Sequence, residues 1–218
     1  MSASRTIGPR TIAIDGPAAS GKGTLARRLA DHYGLAYLDT GSLYRAVGLA
    51  VLADGGDPAD PAAAERAAEA LDPAALDNPA LKSAAAGEAA SKVAVHPGVR
   101  AALLDFQRRV AASPQGAVLD GRDIGTVVLP EAEAKLFVTA SLEARAARRV
   151  AELRARGEAA DPEAMTRALM ERDARDAGRD TAPMARAPDA ALLDTSNLSI
   201  DEAFAAAKML IESRTARP

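Results

Sequence analysis

The chain has 218 residues, 48% hydrophobic and 26% charged, with a formal net charge of −3, the balance of a globular protein with one substantial core. The slight acidity argues against a nucleic-acid surface, which is normally basic, and no apolar run nears the roughly 20 residues that span a bilayer. With no cysteine and only His32 and His96, disulfides, thiolate sites, a cysteine nucleophile and a histidine-rich metal centre are excluded.

Residues 1–10 read as a mobile tail, without the apolar stretch of a signal peptide; a cytoplasmic location follows. Thr11–Asp15 is a short apolar strand. Gly16-Pro17-Ala18-Ala19-Ser20-Gly21-Lys22-Gly23-Thr24 follows, and a helix is expected from Lys22 to about Tyr33, with Leu25 and Leu29 on one face. Strand, glycine loop and helix make a phosphate-binding P-loop. Its glycines let successive N–H groups face phosphate oxygens, the helix adds its positive end, and Lys22 adds a full charge. Where the usual motif has a hydroxyl directly after the lysine, this chain has Gly23, and the hydroxyl comes at Thr24. Direct Mg²⁺ ligation by the loop is therefore not expected; the nucleotide phosphates and water hold the metal, with Thr24 or Asp120 as partners through water.

Leu35–Asp39 reads as the second strand and Thr40–Ala53 as a helix capped by Thr40 or Ser42. Residues 57–96 are alanine-rich and punctuated by Pro58, Pro61, Pro73 and Pro79, which predicts short helices. A helix runs from Pro97 to about Ala112. Ala117–Asp120 and Lys135–Thr139 are buried-type strands. A charged helical stretch from Leu142 to Met184 breaks near Gly157 and Pro162; Ala191–Asp194 is the last strand and Ser199 to about Ser213 the closing helix. Five apolar strands separated by helices predict an α/β fold with a parallel, doubly wound sheet. Such sheets bind ligands at the carboxyl ends of their strands, where the loop at 16–24, Asp39, Asp120 and the residues after Asp194 all fall.

Three further clusters carry charge to that edge. Asp39-Thr40-Gly41-Ser42-Leu43-Tyr44-Arg45 also reads as a plain helix start. Asp120-Gly121-Arg122-Asp123 ends a buried strand, where unpaired charge is costly without a ligand or ion. Arg172-Asp173-Ala174-Arg175-Asp176-Ala177-Gly178-Arg179, taken alone, reads as a solvated helix face.

Six segments in order resemble the bacterial cytidylate kinases: GPAASGKGT (16–24), DTGSLYRA (39–46), SKVAVHPGVR (91–100), DGRDIGTVVLP (120–130), ERDARDAGRD (171–180) and LLDTSNLSI (192–200). The resemblance implies a three-layer P-loop kinase fold with a five-stranded parallel sheet. Its core would be residues 11–56, 97–140 and 187–214, with a nucleoside-monophosphate-binding insert at about 57–96 and a lid at about 141–186 whose arginines close over ATP. It implies transfer of the γ-phosphate of ATP, with Mg²⁺, to CMP or dCMP, in a monomer that engages neither membrane nor nucleic acid. Residues 16–24 would hold ATP. Lys22, Arg122 and Arg179 would act on the transferring phosphate, and Arg45 with Arg122 and Arg179 would hold the CMP phosphate. Ser91, Arg172 and Asp176 match ribose positions; Thr40, Arg100 and Asp123 match base-reading positions, with Tyr44 beside them. Two departures stand out. The insert is short and helical where relatives often have a small sheet, and Ala18 replaces a serine often found there. Another nucleoside monophosphate kinase, of adenylate or UMP/CMP type, and a P-loop nucleotide-binding regulator remain alternatives; a GTPase is disfavoured because no Asn-Lys-x-Asp motif is present.

Overall fold

The computed structural model describes residues 8–215. Its five strands, β1 (Thr11–Asp15), β2 (Ala36–Asp39), β3 (Ala117–Gly121), β4 (Ala134–Thr139) and β5 (Ala191–Asp194), form one all-parallel sheet in the order β2-β3-β1-β4-β5. Every residue of β3 and all but the first of β1 are buried, which is why these strands read as unbroken apolar runs. Alternation still sorts their side chains. Ile12, Ile14 and Val118 pack with Leu25, Leu29 and Ile211 on one face, while Ala13 and Leu119 pack with Leu38, Val47 and Leu103 on the other.

The first face is covered by α1 (Lys22–Tyr33) and α8 (Ile200–Thr215), the second by α2 (Thr40–Ala53) and α5 (Pro97–Ala111). The insert is helical throughout: α3 (Pro61–Glu69), two 3₁₀ turns (Pro73–Asp77 and Pro79–Lys82) and α4 (Ala84–Val93). Its prolines mark the starts of α3 and both turns, each capped by the preceding Asp60, Asp72 or Asn78. Gly48 lets α4 approach α2 closely, since a Cβ there would lie 2.7 Å from the Ala89 Cβ. The charged stretch folds as α6 (Leu142–Ala155) and α7 (Pro162–Ala177).

The structure adds to or departs from the sequence reading at three places. Residues 1–7 of the expected tail lie outside the described residues, but the chain is already fixed at Arg10, whose carbonyl accepts from the Ala117 N–H at 2.8 Å and whose own N–H donates to Glu133. The start of α2 is Asp39, not Thr40 or Ser42; its carboxylate accepts from the Ser42 hydroxyl at 2.9 Å instead of capping the backbone. After Asp123 the chain makes a π turn, Ile124–Val128, that the sequence reading did not anticipate. The N–H groups of Val128 and Leu129 reach back five residues, to the carbonyls of Asp123 and Ile124.

Candidate active site

The sheet order reverses around β1, which lies between β3 and β4. That is where a doubly wound sheet opens a crevice, and a cleft of about 690 Å³ lies there. The loop after β1 turns on Gly16 (φ 146°), where any Cβ would sit 1.9 Å from the Val138 carbonyl oxygen, and on Gly21 (φ 85°), the N-cap of α1. Only glycine fits at 16. Residues 18–24 line the cleft, whereas Gly16 and Pro17 sit behind it. The Ser20 hydroxyl is buried without a partner, and the Ser20 carbonyl is bonded by the Thr195 hydroxyl at 2.9 Å.

Lys22 Nζ donates to the Pro17 carbonyl at 3.3 Å. Burial, then the nearby Arg122, pushes its ammonium down from the ordinary value, while Asp120 pulls the other way. Asp120 itself is pushed up, by burial and then by Asp39 beside it, because these two carboxylates end neighbouring strands in register. One oxygen of Asp120 accepts from the Tyr37 hydroxyl at 3.3 Å. Among the described residues, no group of three or more His, Asp or Glu is arranged to hold a metal ion.

Across the cleft stands a fan of arginines. Arg122 Nε donates to Asp176 Oδ2 at 2.8 Å, Arg172 Nε lies 3.9 Å from the same oxygen, and Arg179 Nε donates to the Asp176 carbonyl at 3.2 Å. Arg45 pairs with Asp39 at 3.3 Å. Burial and then Arg122 push Arg172 down to about 10. Burial would push the Asp176 carboxyl up, but Arg122 and Arg172 beside it hold it below the usual range. Arg179 Nη2 and the hydroxyl of Ser91, on α4, are buried and unpartnered. Beneath the fan, Asp123 forms a buried ion pair with Arg100, whose guanidinium lies 5.6 Å from the Tyr44 ring centre. The Thr40 hydroxyl donates to the Asp120 carbonyl at 2.8 Å. Thr40, Tyr44, Arg45, Ser91, Arg100, Arg122, Asp123, Arg172, Asp176 and Arg179 all line the same cleft as the loop.

Helices α6 and α7 lie down on the loop. Ala18 packs with Ala146 and Leu169, and Arg145 donates to the Ala18 carbonyl at 3.3 Å while pairing with Asp173 at 2.6 Å. Arg156 reaches the Lys82 carbonyl in the insert at 2.9 Å. Arg149, Arg156, Arg172 and Arg175 line the cleft, but Arg145 does not and instead joins α6 to α7 and to the loop. Asp15 and Tyr37 were not picked out from the sequence as site residues, whereas Arg145 and Arg148 were read only among the lid arginines and Thr195 only among the residues after Asp194. Position alone pointed to the first two: Asp15 precedes the loop, and Tyr37 lies two residues before Asp39 on β2.

A P-loop facing a second cluster of arginines across one cleft defines a phosphotransferase of the nucleoside monophosphate kinase class. Comparison with known proteins narrows this. The cytidylate kinase family model matches residues 12–213, and the chain belongs to that family. It is 62% identical to a cytidylate kinase of Xanthobacter autotrophicus over 205 residues, covering 94% of this chain and 98% of the relative. It is 58% identical to one of Rhodopseudomonas palustris over 202 residues, covering 93% and 95%. A solved structure of an uncharacterized protein from Eubacterium ventriosum shares the fold, with a TM-score of 0.55 at 15% identity over 95% of this chain and 99% of that one.

Proposed function

We propose that this cleft transfers the γ-phosphoryl group of ATP to CMP or dCMP, giving ADP and CDP or dCDP, with the residues in the following roles. The loop at 16–24 and Lys22 hold the donor phosphates. Arg45, Arg122 and Arg179 hold the acceptor phosphate, whose planar bidentate recognition suits guanidinium. An oxygen of that phosphate attacks the γ-phosphorus as the bond to the β–γ bridging oxygen breaks, and Lys22, Arg122 and Arg179 stabilise the charge as it spreads. Asp120, buried near Lys22, and Thr24 would hold the waters of a Mg²⁺ ion bound with ATP, which would supply charge neutralisation at the donor phosphates.

Ser91, Arg172 and Asp176 serve the ribose. Asp123, held by Arg100 near Thr40 and Tyr44, accepts from the exocyclic amine of cytosine; uracil offers an oxygen there, which a carboxylate repels. Residues 57–96 form the acceptor-binding insert and 141–186 the lid that excludes water, on a core of 11–56, 97–140 and 187–214. Every group comes from one chain, which supports a catalytically complete monomer, and the nucleotide substrates suit the cytoplasm. The observation that carries this reading is the convergence of Arg45, Arg122, Arg172 and Arg179 on the cleft that the glycine loop lines.

A coupled ADP-release assay of each nucleoside monophosphate with Mg²⁺-ATP tests it. CMP and dCMP are expected to turn over fastest. Preference for AMP would return the adenylate reading, and nucleotide binding without turnover would return the regulator.

A further inference from the structure

Asp15 is a buried carboxylate, 4% exposed, that the reaction above does not use. It ends β1, directly before Gly16 of the loop. Its two oxygens accept from two successive backbone amides of the following turn, Ile124 N–H at 2.7 Å and Gly125 N–H at 2.8 Å. These are the opening amides of the π turn, the groups that a turn's own carbonyls cannot serve. The residue at the head of that turn is Asp123, and an aspartate in that position ordinarily folds back to cap just such amides. Here it makes no side-chain capping bond; its carboxylate is turned instead to Arg100 in the cleft.

We infer that Asp15 is a positioning residue for acceptor recognition: by capping the π turn from a neighbouring strand, it releases Asp123 from capping and leaves that carboxylate free to face the acceptor base. The inference rests on the proposed role of Asp123. The spacing leaves little play. A Cβ on Gly125 would lie 3.3 Å from Asp15 Oδ2 and 3.2 Å from Lys135 Cδ, so the turn is wedged between β1 and β4. Without Asp15, two buried amides lack acceptors, a cost that favours any local substitute, and Asp123, at the N-cap of the turn, is in position by sequence to cap Gly125. The device also ties the two substrates together, because the residue before the donor loop sets the geometry of the acceptor pocket.

The test begins with the wild-type CMP to UMP ratio of kcat/KM; if there is no preference for CMP, the proposed function fails and the role of Asp15 fails with it. Given that preference, Asp15→Asn, which offers one acceptor where two are needed, is expected to raise the KM for CMP and lower the ratio by roughly tenfold while the KM for ATP stays within about twofold. In that background, adding Asp123→Asn should change the ratio little further, since the two residues act through one contact. Equal loss on both nucleotides, an unchanged ratio, or fully additive effects of the two substitutions would overturn the inference. Should Asp15→Asn not fold, Gly125→Ala disturbs the same grip from the other side. It must then shift the CMP KM and the ratio without the ATP KM, or the inference falls.

Discussion

Arg122 and Asp176 stand 2.8 Å apart, Nε to Oδ2, although they come from the end of β3 and the last turn of α7. Asp176 is buried and Arg122 partly so, and the same carboxylate lies 3.9 Å from Arg172. One acid thus balances a fan of cations that would repel one another without an anion. It also ties the position of α7 to a residue beside the loop at 16–24 in the cleft.

Removing that acid leaves partly buried positive charge unpaired. Asp176→Ala is expected to cost about 1.5–3 kcal/mol of stability, read from denaturant unfolding in the absence of nucleotide. Because the carboxyl is held below its ordinary value, its contribution is complete above the unfolded value and disappears as pH falls through the folded one. The gap between wild type and variant should therefore be full at pH 7 and close in acid. A gap that is constant with pH would mean that Asp176 stabilises the fold by packing alone.

Lys22→Ala should leave the fold intact, since Lys22 bonds only the neighbouring Pro17 carbonyl, and should lower kcat by about 10²–10³, the usual cost of one electrostatic contact to the reacting group. Circular dichroism checks the fold and single-turnover kinetics the rate. Activity within a few-fold of wild type would remove Lys22 from the phosphate site.

Arg145 and Asp173 link α6 to α7, and Arg145 links both to the loop at the Ala18 carbonyl. Arg145→Ala should loosen the lid and raise the KM for ATP more than that for CMP. Asp173→Ala should act in the same direction, and the double variant should cost less than the sum of the singles, with a coupling of about 0.5–3 kcal/mol. Strict additivity would show that the two side chains act separately.

Asp15 should give stability and activity opposite responses to pH. Burial raises its carboxyl from 3.8 to about 6, against the two backbone hydrogen bonds that lower it. A raised acid binds its proton more tightly in the folded state, so wild type should lose stability relative to Asp15→Asn as pH rises from about 4 to 6, by at most about 3 kcal/mol. Over the same window the ionised carboxylate gains its second acceptor, and kcat/KM for CMP should rise. The charged groups near it, Arg122 and Asp123 just before the turn and Lys135 on β4, are common to both proteins and cancel in the difference. Parallel stability curves would place the titration elsewhere.

The sequence by itself determined what is local. A parallel strand covered on both faces must be apolar along its length, so β1, β3 and β4 were legible as runs, and the prolines of 57–96 announced helix starts because proline is tolerated in a first turn. The glycine loop was legible because its chemistry sits in consecutive residues. Only the tertiary structure decided which distant groups meet. The π turn after Asp123 is held by a carboxylate 109 residues earlier, and the Arg122–Asp176 and Arg145–Asp173 pairs join elements 54 and 28 residues apart. Taken alone, Arg172–Arg179 read as a solvated face, since charge spacing along a helix is the same whether water or a buried partner receives it. Asp15 read as the plain end of a strand for the same reason. What a buried carboxylate does is set by the amides that fold against it, and those lie outside any sequence window.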